Sequence, residues 1–376
     1  MKVVVVGGGI IGLAHAYQAA KAGHEVTLLE RDSKAEGASV RNFGMVWPIG
    51  QPLGERRALA LRSRDLWIQI AQELEIPFRQ CGSYHLAHHP SELQALEQFC
   101  ALAGPEVAEI HGPEEVFRQS PDLRPEGLLG AMWSPHELSV DPRITCAMYA
   151  KGLQAKLGVQ IRFNTTAHEI TENRVVHRHG VEEADHVFVC SGHVLHHLFS
   201  DLLTEKGIRL CKLEMLRARW NAPVPQPGPH LCAGLTLLHY ESFAPLPALP
   251  AVRDRWQETA PDALEAGVHI LVAQHPDGTL TIGDSHEYGT SFDITSNQRV
   301  QAVIERELDR FLPADRWSVF ERWTGQYAKC ASEPYVVIPL TPSTTLVNGV
   351  GGHGMTISQA LAEQVVKQRL PQSTAV

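Results

Sequence analysis

Little in this chain points to a polymer or a membrane as its partner. No apolar run approaches the roughly 20 residues that a bilayer-spanning helix needs, and no charged leader or cleavage site precedes the first strand. Like-charge runs, low-complexity tracts and internal repeats are also lacking. Basic residues are in deficit, 33 against 42 acidic for a net charge of −9, which argues against nucleic acid or anionic lipid. The seven cysteines (81, 100, 146, 190, 211, 232, 330) are scattered, odd in number and without a C-x-x-C pair. They suit reduced thiols in a cytoplasmic protein, not a disulfide framework. Histidine runs the other way, with 20 copies. No carboxylate or thiolate completes a ligand set around His88-His89 or His193-x-x-His196-His197, so surface or capping roles are expected and a metal is not. The remainder is ordinary globular composition, 44% apolar and 20% charged, in a chain long enough for two domains.

What the chain does have is concentrated in its first thirty residues. Val3-Val4-Val5-Val6 reads as a buried parallel strand. It runs straight into Gly7-Gly8-Gly9-Ile10-Ile11-Gly12, and an Ala-rich helical stretch from Ala14 to Ala22 follows. Gly23 ends that helix, and Glu25 to Leu29 is a second strand closed by Glu30. Strand, Gly-x-Gly-x-x-Gly, helix, strand and acid form the full context of the dinucleotide fingerprint. Gly7 permits the tight turn, Gly9 lets backbone approach a pyrophosphate, and Gly12 lets the helix sit close to the strand. The helix N-terminus offers N–H groups and a positive dipole end to the phosphates. Glu30 can accept hydrogen bonds from a ribose diol and would repel a 2′-phosphate.

Further along, the loop Gly37 to Pro48 carries Ser39, Arg41 and Asn42 and then turns apolar at Met45-Val46-Trp47, as suits contact with a large aromatic ligand. Periodicity predicts helices over Glu55–Leu74, Ser91–Leu102 and Pro113–Ser120. Phe78–Leu86 and Leu128–Trp133 read as strands. Asp141 and Pro142 should cap and start a helix ending near Leu157, followed by a strand at Val159–Phe163. Arg174–His179 and Glu182–Cys190 read as a hairpin, its second strand ending on small residues at Ser191-Gly192. Residues 208–220 alternate as one long strand, with Lys212, Glu214 and Trp220 on one face and Arg217 and Arg219 on the other. The proline-rich stretch 222–250 reads as loop. His269–Ala273 and Thr279–Gly283 form a hairpin about Asp277-Gly278, and Ser296–Phe311 is a helix. The tail is a strand, a glycine turn at Gly349–Thr356, and a helix from Ile357 to Arg369.

Four separated segments now share one pattern: the fingerprint with Glu30, the Gly37–Met45 loop, the Val187–Gly192 strand end, and Gly349–Thr356 before the last helix. Together they resemble the D-amino-acid oxidase superfamily, which includes glycine oxidase and sarcosine oxidase. Arg322-Trp323-x-Gly325, Pro334-Tyr335 and Gly283-Asp-Ser-His-Glu287 add to the likeness. The resemblance implies an α/β fold, with a Rossmann-like FAD-binding domain on a parallel sheet and an α+β substrate domain on a mixed or antiparallel sheet. The first would comprise residues 1–77, 140–207 and 331–376, the second 78–139 and 208–330. It implies non-covalent FAD, because no cysteine aligns with the attachment residue of monomeric sarcosine oxidase. Its contacts would fall on Gly7, Gly9, Ile11, Gly12, Glu30, Arg31, Ser39, Asn42, Gly44 and Met45. Ser191, Gly192, Gly351, Gly352, His353, Gly354, Met355 and Thr356 would complete them.

The implied chemistry is dehydrogenation of a carbon–nitrogen bond in a small amine to an imine, then an aldehyde, with oxygen as the acceptor. The arginine that clamps a carboxylate in glycine oxidase is missing, and Tyr327 and Lys329 stand in its place. Lys212-Leu-Glu-Met215 also departs from the relatives' pattern. Ala38–Pro48 with Gly283–Tyr288 is similar to a bacterial branch associated with aminophosphonates, such as 2-aminoethylphosphonate and its N-alkyl or hydroxy derivatives. A phosphonate demands extra positive charge, which Arg41, Lys212, Arg322 and Lys329 are placed to supply, with Tyr327 assisting. Lys329 and Tyr327 are expected to hold the anionic head, with discrimination against neutral amines of roughly a thousandfold. The alternatives are an amino-acid oxidase, a quinone-linked dehydrogenase of the same fold, or a non-catalytic flavin-binding protein.

Overall fold

Valine at four successive positions makes β1 (Lys2–Val6) apolar on both faces, and all four are buried. Such a strand belongs inside a parallel sheet covered on both sides. It pairs in parallel with β2 (Glu25–Leu29) on one edge and with His186–Val189 on the other. The six-stranded sheet runs Val336–Thr341, Thr344–Asn348, His186–Val189, β1, β2, Gln160–Arg162, and only Val336–Thr341 is antiparallel to its neighbour. Helix α1 (Ile10–Lys21) returns from β1 and packs against Pro142–Leu157 and the last helix, Gly354–Arg369. As expected, Asp141 caps Pro142–Leu157, its carboxylate accepting from Arg143 N at 3.0 Å.

These coordinates are a computed structural model that describes residues 1–222 and 226–371. Residues 223–225 of the proline-rich stretch, and 372–376 at the end, lie outside the described residues.

The second, larger sheet is mixed and is built on the long strand Ile208–Trp220. Trp317–Cys330 pairs with it over nearly its whole length, and Thr279–Gly283 and Glu287–Gly289 share its other edge. The sheet continues through Leu271–Gln274, His230–Cys232, Ser83–Ala87, Gly130–Ser134 and Glu109–His111. A small sheet of Met45–Val46, Leu138–Val140 and Phe78–Gln80 stitches the two halves together. Among the described residues no helix is long and apolar enough to cross a membrane.

Three expectations need correction. Phe78–Leu86 is two strands in different sheets, broken at Gly82, whose φ of +61° and closeness to Trp133 exclude a side chain. The return strand of the 174–190 hairpin stops at Glu183. Its acidic, exposed residues cannot enter the parallel sheet, and the fully buried His186–Val189 does so as a separate strand. The stretch 222–250 is not all loop, since it holds His230–Cys232 and a 3-10 turn at Gly234–Leu238. The strand Trp317–Cys330 was not anticipated, because Glu321 and Arg322 interrupt its apolar alternation.

Candidate active site

Above the carboxyl end of the parallel sheet, a groove begins at Glu30 and opens into a wider cleft ending at Tyr327 and Lys329. The two parts are continuous, sharing Gly9, Ala38, Ser39, Cys190, Gly192 and His193. At the narrow end the glycines behave as their spacing demands. A Cβ on Gly12 would stand 1.9 Å from Gly7 O, and one on Gly7 would stand 2.3 Å from Cys190 O, at a φ of +110°. Both contacts are with backbone, so nothing can yield cheaply. Gly9 has no side chain to cap α1 and no acid sits in its first turn, leaving most of its N-terminal N–H groups for an anion. Ser39 Oγ accepts from Ile10 N there at 2.9 Å.

Glu30 is buried and accepts from Gly8 N at 2.6 Å and Asp32 N at 2.9 Å. Burial raises its pKa, with the two backbone donors opposing. Each oxygen keeps a free lone pair, so a ribose hydroxyl can still be bound.

Of the expected cofactor residues, Gly7, Gly9, Ile11, Glu30, Arg31, Ser39, Asn42, Met45, Ser191 and Gly192 line this continuous space. Gly351, Gly352, His353, Gly354, Met355 and Thr356 line its wide end. Gly12 and Gly44 do not, and their role is packing. A Cβ on Gly44 would meet Val140 O at 1.9 Å, where the 37–48 loop crosses the small sheet. Asn42 fixes that loop by donating to Ala38 O at 2.9 Å and accepting from Gly44 N at 2.7 Å. The last helix begins at Gly354 with no side-chain cap and no acid in its first turn, so a second positive dipole end faces the cleft. Behind it, Trp47 N donates to Thr356 Oγ1 at 2.9 Å and Trp67 Nε1 to Met355 O at 2.7 Å. His353 Nδ1 accepts from Gln51 Nε2 at 2.8 Å, and burial lowers its pKa to about 4, so the ring is neutral at pH 7.

The expected anchor cations separate. Tyr327 and Lys329 line the wide end, against the Gly351-Gly352 turn. Lys329 is half-buried, has no carboxylate partner among the described residues, and lies 5.4 Å from the Tyr288 ring centroid. Lys212 is not in the cleft. Alternation along Ile208–Trp220 turns Leu213 towards the cleft and Lys212 away from it. Lys212 instead donates to Thr295 O at 3.0 Å and lies 3.7 Å from Glu214 and 3.9 Å from Glu287. Arg41 also points elsewhere, bonding Glu36 O at 2.7 Å and Thr324 O at 3.4 Å. Arg322 pairs with Glu305 at 2.5 Å. Of the expected anchors, Tyr327 and Lys329 are the two that line the cleft among the described residues.

Sequence reasoning missed the rest of this wall. His239, His269, Asp284 and His286 line the cleft beside Tyr240 and Tyr327. The high histidine count and the Gly283-Asp-Ser-His-Glu287 segment were the available signals, but these residues converge only through the strand order of the larger sheet. The histidine runs noted in sequence play other parts: His89 caps Pro90–Ala103, accepting from Ser91 N at 3.3 Å, and His193 lies against Gly37.

A groove that grips a ribose with an acid and a pyrophosphate with a helix end, then widens onto a second helix end, suits FAD bound in extended form. The fold and the site thus define a two-sheet flavoprotein. The profile of the family described as FAD dependent oxidoreductase matches residues 2–368, and the chain belongs to that family. Glycine oxidase of Bacillus licheniformis is 29% identical over 231 residues, which are 58% of this chain and 61% of that protein. Human mitochondrial sarcosine dehydrogenase is 28% identical over 164 residues, 42% of this chain and 18% of that one. The chain therefore spans less than two thirds of either relative. The crystal structure of glycine oxidase from Geobacillus kaustophilus superposes with a TM-score of 0.77 at 22% identity, covering 98% of this chain and 93% of that one. L-proline dehydrogenase from P. horikoshii gives 0.76 at 19%, covering 99% and 95%. At these identities the shared property is the fold.

Proposed function

We propose that this chain oxidises the C–N bond of a small amine bearing an anionic head group, an aminophosphonate such as 2-aminoethylphosphonate or its N-methyl or hydroxy derivative. The product is an imine that water converts to an aldehyde, and oxygen is the electron acceptor. Bound FAD supplies the two-electron acceptor for this dehydrogenation. The chain's own part is to orient the amine and exclude water, with its anion at the end of the cleft where Lys329 and Tyr327 lie. The observation that carries the reading is Lys329, a half-buried cation in the cleft wall beside Tyr327, with Tyr288 Oη at 3.5 Å and no carboxylate partner among the described residues. The names of relatives support the amine part: glycine oxidase, sarcosine dehydrogenase and 4-methylaminobutanoate oxidase of Paenarthrobacter nicotinovorans. Their substrates are carboxylates, so an amino-acid oxidase, or a dehydrogenase passing electrons to a quinone, is the second reading.

Cys190 is the cysteine that lines the cleft, and burial pushes its thiol pKa up, away from the thiolate needed for a covalent link. We therefore take the flavin as non-covalent. All seven cysteines are free, which supports a cytoplasmic setting.

The test is anaerobic flavin bleaching by glycine, sarcosine, 2-aminoethylphosphonate and N-methyl-2-aminoethylphosphonate, followed by air. Faster bleaching by the phosphonates, then rapid recolouring with peroxide release, is the expected result. Equal bleaching by the carboxylates leaves the amino-acid reading, and slow recolouring leaves the dehydrogenase.

A further inference from the structure

Three imidazole rings from separate segments meet in the cleft wall. His239 follows the Gly234–Leu238 turn, His269 precedes the strand Leu271–Gln274, and His286 lies beyond Thr279–Gly283. Ring centroids are 3.9 Å apart for His239 and His269, 4.2 Å for His239 and His286, and 5.1 Å for His269 and His286. Beneath them is one buried carboxylate: Asp284 Oδ1 is 3.0 Å from His269 Nε2, and Oδ2 is 3.9 Å from His286 Nε2. His286 Nδ1 donates to Gly267 O at 3.0 Å, and His269 Nδ1 is buried with no partner.

Unpartnered ring nitrogens also occur in the core, as at His85 and at Nδ1 of His275, whose Nε2 meets Thr281 Oγ1 at 2.8 Å; those rings do not line the cleft. Here His269 is stacked on both neighbours, His239 and His286 are tilted by 38°, and all three rings line a cleft, which suits a ligand with several acceptors.

One ring nitrogen from each histidine lies within 4.8 Å of the others, which invites a metal reading. The ring planes oppose it. His239 and His269 are tilted by only 19°, and His269 and His286 by 20°. Imidazole lone pairs lie in the ring plane, so in stacked rings they run side by side and do not converge on one ion.

We propose that His239, His269 and His286, standing over Asp284, receive the three oxygens of the substrate's phosphonate head and take up a proton when it binds. This rests on the aminophosphonate reading above and deepens it. A tetrahedral head offers three oxygens to three donors on different segments, whereas a planar carboxylate offers two. The charged groups beside the cluster are Asp284 below and Lys329 on Trp317–Cys330, while His353, on the turn before the last helix, is held neutral by burial. Tyr240 and Tyr327 also face it, held neutral by burial. Lys329 and Asp284 nearly cancel, so a dianion needs further positive charge. Burial, reinforced by the adjacent rings and Lys329, keeps His239 neutral beforehand, and burial outweighs Asp284 at His286, whose pKa is lowered to about 4. An arriving dianion reverses that balance and draws a proton from solvent. A carboxylate, with one charge, does so far less.

The test uses the holoenzyme with methylphosphonate, which carries the head group and no amine, and acetate as the carboxylate control. Binding is read from the flavin absorbance shift, and proton uptake from calorimetry in two buffers of different ionisation enthalpy. At a pH where methylphosphonate is already a dianion in solution, wild-type protein should bind it with uptake of about one proton and bind acetate without uptake. His239→Asn should weaken methylphosphonate about tenfold or more and remove the uptake while retaining flavin. His286→Gln serves the same purpose if the first variant folds poorly. Methylphosphonate binding without uptake, or unchanged affinity in both variants, overturns the proposal. So does a stoichiometric metal whose removal by EDTA abolishes binding. If histidine-dependent uptake is found but 2-aminoethylphosphonate never bleaches the flavin, the receptor stands and the amine assignment falls. If 2-aminoethylphosphonate bleaches both variants as it does wild type, the amine assignment stands and the receptor falls.

Discussion

At the nucleotide end of the cleft, the working parts are neighbours in sequence: Gly7, Gly9 and Gly12 in one turn, with Glu30 one strand away. At the amine end, His239, His269, Asp284, Tyr327 and Lys329 come from four strands or turns of a mixed sheet. The first end recognises a ligand through backbone, so its residues are chosen for what they lack. The second recognises through side chains, so its residues are chosen for charge and hydrogen-bonding capacity. Backbone recognition leaves a spacing motif, and side-chain recognition leaves none.

Acid should break the two ends unequally, and this is the largest expected effect. In the larger sheet and its loops, burial lowers the pKa of His85, His230 and His275 to about 3 and of His286 to about 4. In the smaller sheet and its helices, His15, His186 and His353 are lowered to about 4. A histidine whose folded pKa lies below its unfolded value of about 6.5 keeps its full contribution above that pH. The contribution is lost as pH falls from there towards the folded value, because the unfolded chain binds the extra protons. Four such groups imply a loss of about 5 kcal/mol per pH unit in that window. The urea midpoint should fall sharply from pH 7 to pH 5, and peptides from 208–330 should exchange amide hydrogen before those from 1–30. An unchanged midpoint would contradict the neutral burial of these rings.

Gly12→Val tests the backbone logic. Its Cβ would meet Gly7 O at 1.9 Å and its methyls would press on Val5. Overpacking of about 1–3 kcal/mol falls directly on the pyrophosphate turn. The variant should purify nearly colourless while methylphosphonate still protects it from proteolysis. Full flavin content would show that the turn tolerates a side chain.

The same contrast explains what could be read from sequence. The strand, glycine turn, helix and strand of the first thirty residues were legible because each is set by local propensity. So were Glu55–Leu74 and the long strand Ile208–Trp220, whose periodicities survive intact. Lys212 was misplaced by one residue of register: alternation was seen, but not which face meets the cleft. Trp317–Cys330 escaped notice because its pairing with Ile208–Trp220 compensates for charged positions that spoil its own pattern. The histidine cluster had only a fragmentary signal in Gly283-Asp-Ser-His-Glu287, since sheet order alone brings His239 and His269 to it.

Glu30→Ala should weaken FAD retention by about 1.5–3 kcal/mol, the usual cost of a lost charged hydrogen bond. The carboxylate also holds Gly8 N and Asp32 N, so the turn itself loosens. The order in which different amines bleach the remaining flavin should not change, because Glu30 lies at the far end of the groove. A changed order would mean that the two ends are not independent. Flavin retained at the wild-type level would remove Glu30 from the binding site.

Lys329→Met should have the smallest effect of the four. As an isolated cation against a dianion it suggested discrimination near a thousandfold, but its half-exposed setting screens the charge. The lower end of the charged hydrogen-bond range, about 1.5 kcal/mol, corresponds to about tenfold. Methionine keeps the stem that packs near Gly351 and Tyr288, so packing and flavin content should persist. The loss should therefore appear in KM for 2-aminoethylphosphonate, with kcat little changed, because the head group is bound alike in ground and transition states. Lys329→Arg should recover most of it. If KM stays at the wild-type value, the anion is held by other groups in the wall, and Lys329 is no more its anchor than Arg41 and Lys212, which bond elsewhere.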